Sequence, residues 1–165
     1  MTPVLCFVGR SNTGKTTVIE RLIPMLKAKG ITVATIKHHN HPFEIDYEGK
    51  DTYRHKAAGA RTAMIVSSRK FALVKDLDRE LPLTQIVAQY ADDVDLVIVE
   101  GYKAERLPKI EVYNFREHTP PVAADDANLL ALISDIEVPA RVPVFLRDDI
   151  QSIAAFIVRE LKLGK

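Results

Sequence analysis

The sequence predicts an α/β protein of the P-loop NTPase type, with a mostly parallel β-sheet and helices on both faces. Short apolar runs rich in β-branched residues alternate with segments whose apolar residues recur every three or four positions. This is the order expected of parallel strands joined by crossover helices. The first apolar run leads directly into a glycine-rich segment, Gly9-Arg10-Ser11-Asn12-Thr13-Gly14-Lys15-Thr16, which is typical of phosphate-binding loops.

The first quarter of the chain predicts a strand, a helix and a second strand. The apolar run Val4–Val8 ends at a glycine-rich turn, as a strand buried on both faces would. Apolar residues then follow at helical spacing, and Gly30 is placed to end that helix. Pro24 lies inside the pattern and predicts a kink or a loosened middle turn. Residues 31–36 form the second β-branched run. The helical apolar positions are Val18, Ile19, Leu22, Ile23 and Leu26.

The next segment predicts a polar loop, a short helix and a hairpin. Residues 37–50 are polar and contain three histidines. Residues 51–60 suit a short helix with Asp51 as its N-cap. The runs 61–67 and 71–74 are expected to pair as a β-hairpin around a turn at residues 68–70.

The second half alternates in the same way. Leu83, Ile86, Val87 and Tyr90 have the spacing of a helix face. A final amphipathic helix is expected over residues 150–161, because its apolar side chains keep the same period. Four further strands are predicted at residues 94–99, 110–115, 129–133 and 142–146.

Composition indicates one ordinary domain spanning residues 1–165. The 23 Lys and Arg residues nearly balance the 22 Asp and Glu residues, for a net charge of +1, which argues against nucleic-acid or membrane-surface partners that need bulk positive charge. The single cysteine, Cys6, excludes an intramolecular disulfide and a four-cysteine zinc site. No apolar run approaches the ~18 residues of a membrane span, and no basic leader precedes Val4–Val8, so we expect a cytoplasmic protein.

The glycine-rich segment matches the G-x-x-x-x-G-K-[ST] pattern at every fixed position. Its glycines let the backbone wrap closely, so that successive N–H groups point at phosphate oxygens. Lys15 would reach the β- and γ-phosphates, and the Thr16 hydroxyl would ligate Mg²⁺. The helix that starts there adds its positive end. The segment therefore predicts a nucleotide site whose ligands include Gly9, Arg10, Ser11, Asn12, Thr13, Gly14, Lys15 and Thr16.

Charged residues at strand ends are the candidate partners of this loop. Glu100 ends a buried strand, where a carboxylate is costly unless it meets a cation, and it is therefore a candidate metal ligand. Asp51 is a candidate helix N-cap and also a candidate direct or water-mediated metal ligand, since the two roles need not compete. Lys37, at the end of the second strand, is placed to touch a phosphate or an acidic substrate.

Base recognition and the histidines leave alternatives open. No N/T-K-x-D segment for guanine is present, so Asp135 and Asp148, after the last two strands, are the candidate contacts to the base. Asp148 or Asp149 could instead cap the final helix. In an extended segment His39 and His41 share a face and His38 points away, which favours a polar binding loop over a dedicated transition-metal site.

Several blocks together resemble the MobB family of molybdopterin-guanine dinucleotide biosynthesis adapter proteins, over nearly the whole chain. The blocks after the second strand are the more specific ones, because many families share the loop motif. The blocks are Gly9 to Thr17; Thr35-Ile36-Lys37-His38-His39 with Phe43, Asp46 and Gly49-Lys50-Asp51-Thr52; Arg54 with Ala58-Gly59-Ala60; Asp95 to Lys103; and Leu107-Pro108-Lys109-Ile110-Glu111.

The resemblance implies a fold of the signal-recognition/MinD branch, often dimeric, that binds GTP with Mg²⁺ and hydrolyses it slowly at most. It implies a partner, the guanylyltransferase that attaches GMP to molybdopterin. It also implies that the phosphate site extends to Thr17 and that Thr16, Asp51 and Glu100 surround the metal. Related ParA/MinD-type ATPases have a lysine after the first loop glycine, whereas this chain has Arg10. Arg10 therefore argues against those ATPases, and whether it acts across a dimer stays open.

Two other function classes are compatible with the motif. One is a small ATP-dependent ligase or kinase similar to dethiobiotin synthetase, in which Lys37 would contact a carboxylated substrate. The other is a GTPase metallochaperone that uses His38, His39 and His41. The sparse histidines and single cysteine weigh against the metallochaperone. The block from Lys37 to Asp51 favours the adapter over the ligase.

Overall fold

The computed structural model describes residues 2–39, 41–115 and 119–164. The backbone forms two compact units. The larger unit comprises Met1–His38 and Thr84–Lys165, and the smaller unit is His39–Leu83. The single domain expected over residues 1–165 stays a prediction. Within the described ranges, no helix has the length and apolar character that crossing a membrane would need.

Within the residues that the structure describes, eight strands and four helices follow one another much as the sequence predicts. In chain order they are β1 (Val4–Val8), α1 (Lys15–Ala28), β2 (Val33–Lys37), α2 (Asp51–Ala57), β3 (Thr62–Val66), β4 (Phe71–Lys75), α3 (Leu83–Tyr90), β5 (Leu96–Glu100), β6 (Lys109–Val112), β7 (Leu129–Ser134), β8 (Val144–Leu146) and α4 (Ile150–Glu160).

The larger unit is built on a six-stranded sheet in the order β2-β5-β1-β6-β7-β8. Every neighbouring pair in it is parallel, which confirms the predicted α/β class. Because the strands run in one direction, their carboxyl ends meet at a single edge. Register places Glu100 beside both Phe7 and Lys37, and Ser134 beside Leu146. This edge therefore gathers the segments that follow β1, β2, β5, β7 and β8.

Burial of β1 shows that both faces of the sheet are covered. Leu5 and Phe7 point to one face and pack in a core with residues of α1 and α4. Cys6 and Val8 point to the other face and are also buried. Because a strand covered on both faces has no solvent-exposed side, every position of β1 is apolar in the sequence.

Helix α1 starts at the glycine-rich loop and continues through Pro24 to Ala28. Its end is closed by the Ile31 N–H, which donates to the Leu26 carbonyl at 3.1 Å. Gly30, with φ of +78°, supplies the left-handed residue that this C-terminal motif requires.

The smaller unit contains helix α2 and the hairpin of β3 and β4, which pair antiparallel as predicted. The Ser67 N–H donates to the Lys70 carbonyl at 2.8 Å, and the Lys70 N–H donates to Ser67 Oγ at 3.0 Å. The N-cap prediction for Asp51 is wrong. Lys50, with extended backbone, is the N-cap, and Asp51 is the first helical residue. There the negative charge of Asp51 interacts favourably with the positive end of the helix dipole.

Candidate nucleotide-binding site

The glycine-rich loop after β1 has a tightly packed backbone. Gly9 has φ of +136°, and a Cβ built there would overlap the carbonyl oxygen of Val112 at the end of β6. Thr13 is 3% exposed, and its hydroxyl donates to the Arg10 carbonyl at 3.0 Å, which closes the loop on itself. Gly14, with φ of +85°, is the N-cap of α1. The glycines of the motif thus stand where close approach and left-handed backbone require them.

Lys15 is the first residue of α1, and its side chain folds back over the loop. Its Nζ donates to the Arg10 carbonyl at 2.6 Å and to the Gly9 carbonyl at 3.3 Å. The ammonium therefore lies beside the loop backbone and the N-terminus of α1, where the helix end and the lysine both favour an anion.

Thr16 and Glu100 meet at the carboxyl edge of the sheet. The Thr16 hydroxyl donates to Glu100 Oε2 at 2.9 Å, and Lys37 Nζ lies 3.5 Å from Glu100 Oε1. The Glu100 side chain is 16% exposed. Gly101, with φ of +113°, lets the chain pass close to His38, whose Cβ would lie 3.1 Å from a Cβ at that position. Glu100 therefore contacts both Thr16 from the loop and Lys37 from a second strand end, as their predicted positions suggested. A hydroxyl beside a carboxylate provides two oxygen ligands of the kind that Mg²⁺ binds.

Asp51 belongs to the smaller unit. Its carboxylate lies 3.7 Å from Arg54 one helical turn later, and its side chain is 87% exposed. That position is ordinary for an acidic residue at a helix start. The metal-binding role predicted for Asp51 stays a prediction.

The three neighbouring histidines do not act as one cluster. The His38 ring lies 4.2 Å from the Tyr102 ring, whereas His39 and His41 approach each other with ring centroids 5.8 Å apart. Among the described residues, no group of three His, Cys, Asp or Glu side chains is placed to hold a metal ion. The polar binding loop expected for these histidines stays a prediction.

The acidic residues after β7 and β8 each have a basic or backbone partner. Asp135 Oδ1 accepts from Arg147 Nε at 2.7 Å, and Asp148 Oδ1 accepts from Arg21 of α1 at 2.8 Å. Asp149 Oδ1 accepts from the Ser152 N–H at 3.1 Å and caps α4. The capping alternative is therefore confirmed for Asp149.

Arg147 contacts the candidate site, although no sequence motif singles it out. It follows β8, yet its Nη1 donates to the Thr13 carbonyl in the glycine-rich loop at 2.5 Å. Its Nη2 donates to the Tyr113 carbonyl after β6 at 3.4 Å. The feature of the sequence that points to Arg147 is its position at the end of β8, directly before the candidate base contact Asp148.

Comparison with known proteins identifies the family. The family model described as molybdopterin guanine dinucleotide synthesis protein B matches residues 4–135. The chain belongs to this family, MobB. The molybdopterin-guanine dinucleotide biosynthesis adapter protein of Escherichia coli (strain K12) is 36% identical over 165 residues, covering 96% of this chain and 93% of that protein. The Haemophilus influenzae protein of the same description is 37% identical over 134 residues, covering 81% and 75%.

Solved structures show the same MobB fold. The crystal structure of Bacillus subtilis MobB has a TM-score of 0.78 at 28% identity and covers 99% of both chains. A crystal structure of molybdopterin-guanine biosynthesis protein B has a TM-score of 0.73 at 31% identity, covering 96% of this chain and 99% of that one. The resemblance drawn from the sequence blocks is therefore confirmed. The assignment to the signal-recognition/MinD branch stays a prediction.

Two charged residues of β6 lie inside this MobB-family fold. Lys109 is 0% exposed, and its ammonium donates to the carbonyls of Lys103 at 3.1 Å and Glu105 at 2.9 Å and to the Asp126 carboxylate. The hydrogen bond from Lys109, supported by the Asn128 N–H, lowers the pKa of Asp126 to about 2. All three ammonium hydrogens thus have acceptors, as a buried charge requires.

Glu111, two residues further along β6, is 1% exposed and accepts from the N–H groups of Val122 at 2.7 Å and Ala123 at 2.8 Å. With Lys109 it attaches the segment around residues 122–128 to the sheet. In the sequence, Lys109 and Glu111 belong only to the blocks of family resemblance, because charges at alternating positions of a strand usually indicate a solvent-exposed face.

Cys6 is the buried neighbour of this cluster in β1. Burial raises the pKa of its thiol to about 11. A thiol that stays protonated at neutral pH is a poor nucleophile and metal ligand. Its position in β1 confirms the expectation of a small buried residue.

Proposed function

We propose that this chain is a GTP-binding adapter for the biosynthesis of molybdopterin guanine dinucleotide, acting in the cytoplasm beside the guanylyltransferase that attaches GMP to molybdopterin. Its relatives are described as adapter proteins of that biosynthesis. The observation that carries the nucleotide part is the hydrogen bond from Thr16 to Glu100. It joins the end of the phosphate-binding loop to the strand-end carboxylate that such sites use around Mg²⁺.

In this proposal the residues of Gly9–Thr17 hold the phosphates. Backbone N–H groups of the loop donate to phosphate oxygens, and Lys15 leaves its carbonyl partners for the β- and γ-phosphates. Lys37 lies beside Glu100 and would add positive charge near the terminal phosphate. Asp135 and Asp148 would contact the base, since both follow the late strands of the sheet.

Mg²⁺ would be held through oxygen ligands at the same edge. Thr16 and Glu100 are the pair that supports it, because their oxygens already lie within hydrogen-bond distance. Asp51 is the third predicted metal residue. A bound ion would neutralise negative charge on the phosphates.

A single alteration tests the nucleotide site. Lys15→Ala is expected to abolish GTP binding measured by calorimetry, while circular dichroism shows an unchanged fold. Lys27→Ala is the matched control, because Lys27 is an exposed lysine in the last turn of the same helix. Equal GTP affinity in the parent and Lys15→Ala would refute the site.

Turnover separates an adapter from a catalyst. We expect GTP hydrolysis by the chain alone to be far slower than the ~10 s⁻¹ typical of enzymes. A rate near that value would favour the ligase or kinase alternative, and tighter binding of ATP than of GTP would favour it as well.

We also propose that the chain forms a homodimer. Support comes from the β3–β4 hairpin, where three apolar side chains on one face are more than half exposed. Val66 pairs with Phe71 across the hairpin, and an isolated two-stranded sheet is marginally stable in water. A second copy would cover this face. The three residues are Met64, Val66 and Phe71.

A further inference from the structure

Arg147 links three strand ends to the phosphate-binding loop. Its backbone N–H donates to the Ser134 carbonyl at 2.9 Å, which anchors it beside β7. Its side chain, 20% exposed, pairs with Asp135 through Nε. The two remaining nitrogens reach the carbonyls of Thr13 and Tyr113. The guanidinium is thus held on one side by a carboxylate and contacts the loop with the other.

The contact falls on one particular peptide unit. The Thr13 carbonyl and the Gly14 N–H belong to the same peptide, and the structure places that peptide in the trans form. In a trans peptide the two groups point in opposite directions. A guanidinium bound to the carbonyl therefore sets the direction of the Gly14 N–H, which is the donor that precedes the motif lysine.

Gly14 itself makes this approach possible. A Cβ at position 14 would overlap Nη1 of Arg147. The charged hydrogen bond also polarises the peptide, and this makes the N–H on its far side a stronger donor.

We propose that Arg147, aimed by Asp135, is a positioning residue that holds the Thr13–Gly14 peptide so that the Gly14 N–H, beside Lys15, faces a phosphate beyond the α-phosphate of the nucleotide. This inference deepens the proposed GTP site and rests on it for the ligand. Arg147 acts through the loop backbone, and its fork of donors allows it to bind Asp135 and the loop together. A lysine has no such fork.

The first test compares nucleotides that differ in phosphate number. Arg147→Gln is expected to weaken GTP and GDP binding by about tenfold, the effect of losing one charged hydrogen bond, and to change GMP affinity less than threefold. Arg147→Lys should lose most of the same affinity although it keeps the charge. Arg159→Gln is the control, since it removes an exposed guanidinium at the end of α4. Unchanged GTP affinity in Arg147→Gln, or an equal loss for GTP and GMP, would overturn the inference.

The second test needs no nucleotide. In ¹H–¹⁵N spectra of the ligand-free protein, the Gly14 amide resonance should move in Arg147→Lys, Arg147→Gln and Asp135→Asn and stay in place in Arg159→Gln. A Gly14 resonance unmoved by every change at Arg147 and Asp135 would refute the positioning role. If the parent bound neither GTP nor ATP, the proposed function would fail, and this resonance would still decide whether Arg147 orients the loop.

Discussion

The Thr16 hydroxyl donates a 2.9 Å hydrogen bond to Oε2 of Glu100, 84 positions further along the chain. The contact exists because β1 and β5 are parallel neighbours, so that the loop after one meets the end of the other. It joins the two groups that we propose as oxygen ligands of Mg²⁺, and it makes their joint role testable.

Glu100→Gln should weaken Mg²⁺-dependent GTP binding by about tenfold or more, because an amide oxygen lacks the charge of the carboxylate and altered metal partners typically cost that much. The measurement is calorimetry with and without Mg²⁺. Glu20→Gln, at an exposed position of α1, is the control. The same Mg²⁺ dependence in Glu100→Gln and the parent would contradict the metal site.

Gly9→Ala should destabilise the protein more than Gly59→Ala. Both glycines have φ between +100° and +140°, but a Cβ at Gly9 would overlap the Val112 carbonyl, whereas nothing lies within 4 Å of a Cβ at Gly59. Left-handed strain costs about 1–3 kcal/mol at each position, and the clash adds about 1–3 kcal/mol at Gly9 alone. Urea unfolding of both variants measures the difference, and equal losses would contradict the close packing of the loop on β6.

Lys109→Met should lower the free energy of unfolding by about 2–3 kcal/mol, because it removes the ammonium and leaves the Asp126 carboxylate and two carbonyls without that donor. The side-chain length is nearly kept, so the loss reports the charge and its hydrogen bonds. Lys27→Met, in the last turn of α1, controls for loss of an exposed lysine. Urea unfolding with no difference between the two variants would show that Lys109 is dispensable.

Stability should fall in acid through Asp126. The pKa of its carboxyl is about 2 in the folded protein, below the ordinary 3.8, so the unfolded chain binds more protons between these values and stability rises with pH there. The contribution is complete above pH 4 and is lost as pH falls toward 2. Asp126→Asn should flatten the unfolding free energy over this window. Asp125→Asn alters the exposed neighbour and should keep the pH dependence of the unfolding free energy seen in the parent. The same pH dependence in all three proteins would contradict its assignment to Asp126.

Val66→Lys should halve the particle mass measured by light scattering, because it places a charge on the exposed apolar face of the hairpin that we propose as the dimer contact. Ser68→Lys adds the same charge in the adjoining turn and should leave the dimer intact. A monomeric parent would refute the dimer, and a dimeric Val66→Lys would place its interface elsewhere.

The loop and its partner at Glu100 could be predicted because their signals are local. A motif of eight residues marks the loop, and a carboxylate that ends an apolar run marks the strand end. Because parallel strands end at the same edge of the sheet, the loop and Glu100 are expected to lie at one edge even when the strand order is unknown. Arg147 could not be predicted in the same way. Its contact with Thr13 depends on how the guanidinium crosses from the end of β8 to the loop after β1, and sequence spacing does not encode that path.

The buried charges of β6 show a second limit of prediction from the sequence. Lys109 and Glu111 are charged positions in a short strand, a pattern that solvent exposure also explains. Their burial follows from the segment at residues 122–128, which covers the strand and supplies hydrogen-bond partners. The wrong N-cap at Asp51 has a smaller cause, since Lys50 takes the extended backbone and shifts the helix start by one residue.

Calorimetric titration of the parent chain with GTP and, separately, with ATP in the presence of Mg²⁺ tests the proposed GTP-binding adapter most directly. We expect GTP to bind with at least tenfold higher affinity than ATP. Equal or tighter binding of ATP, or no binding of either nucleotide, would contradict the proposal.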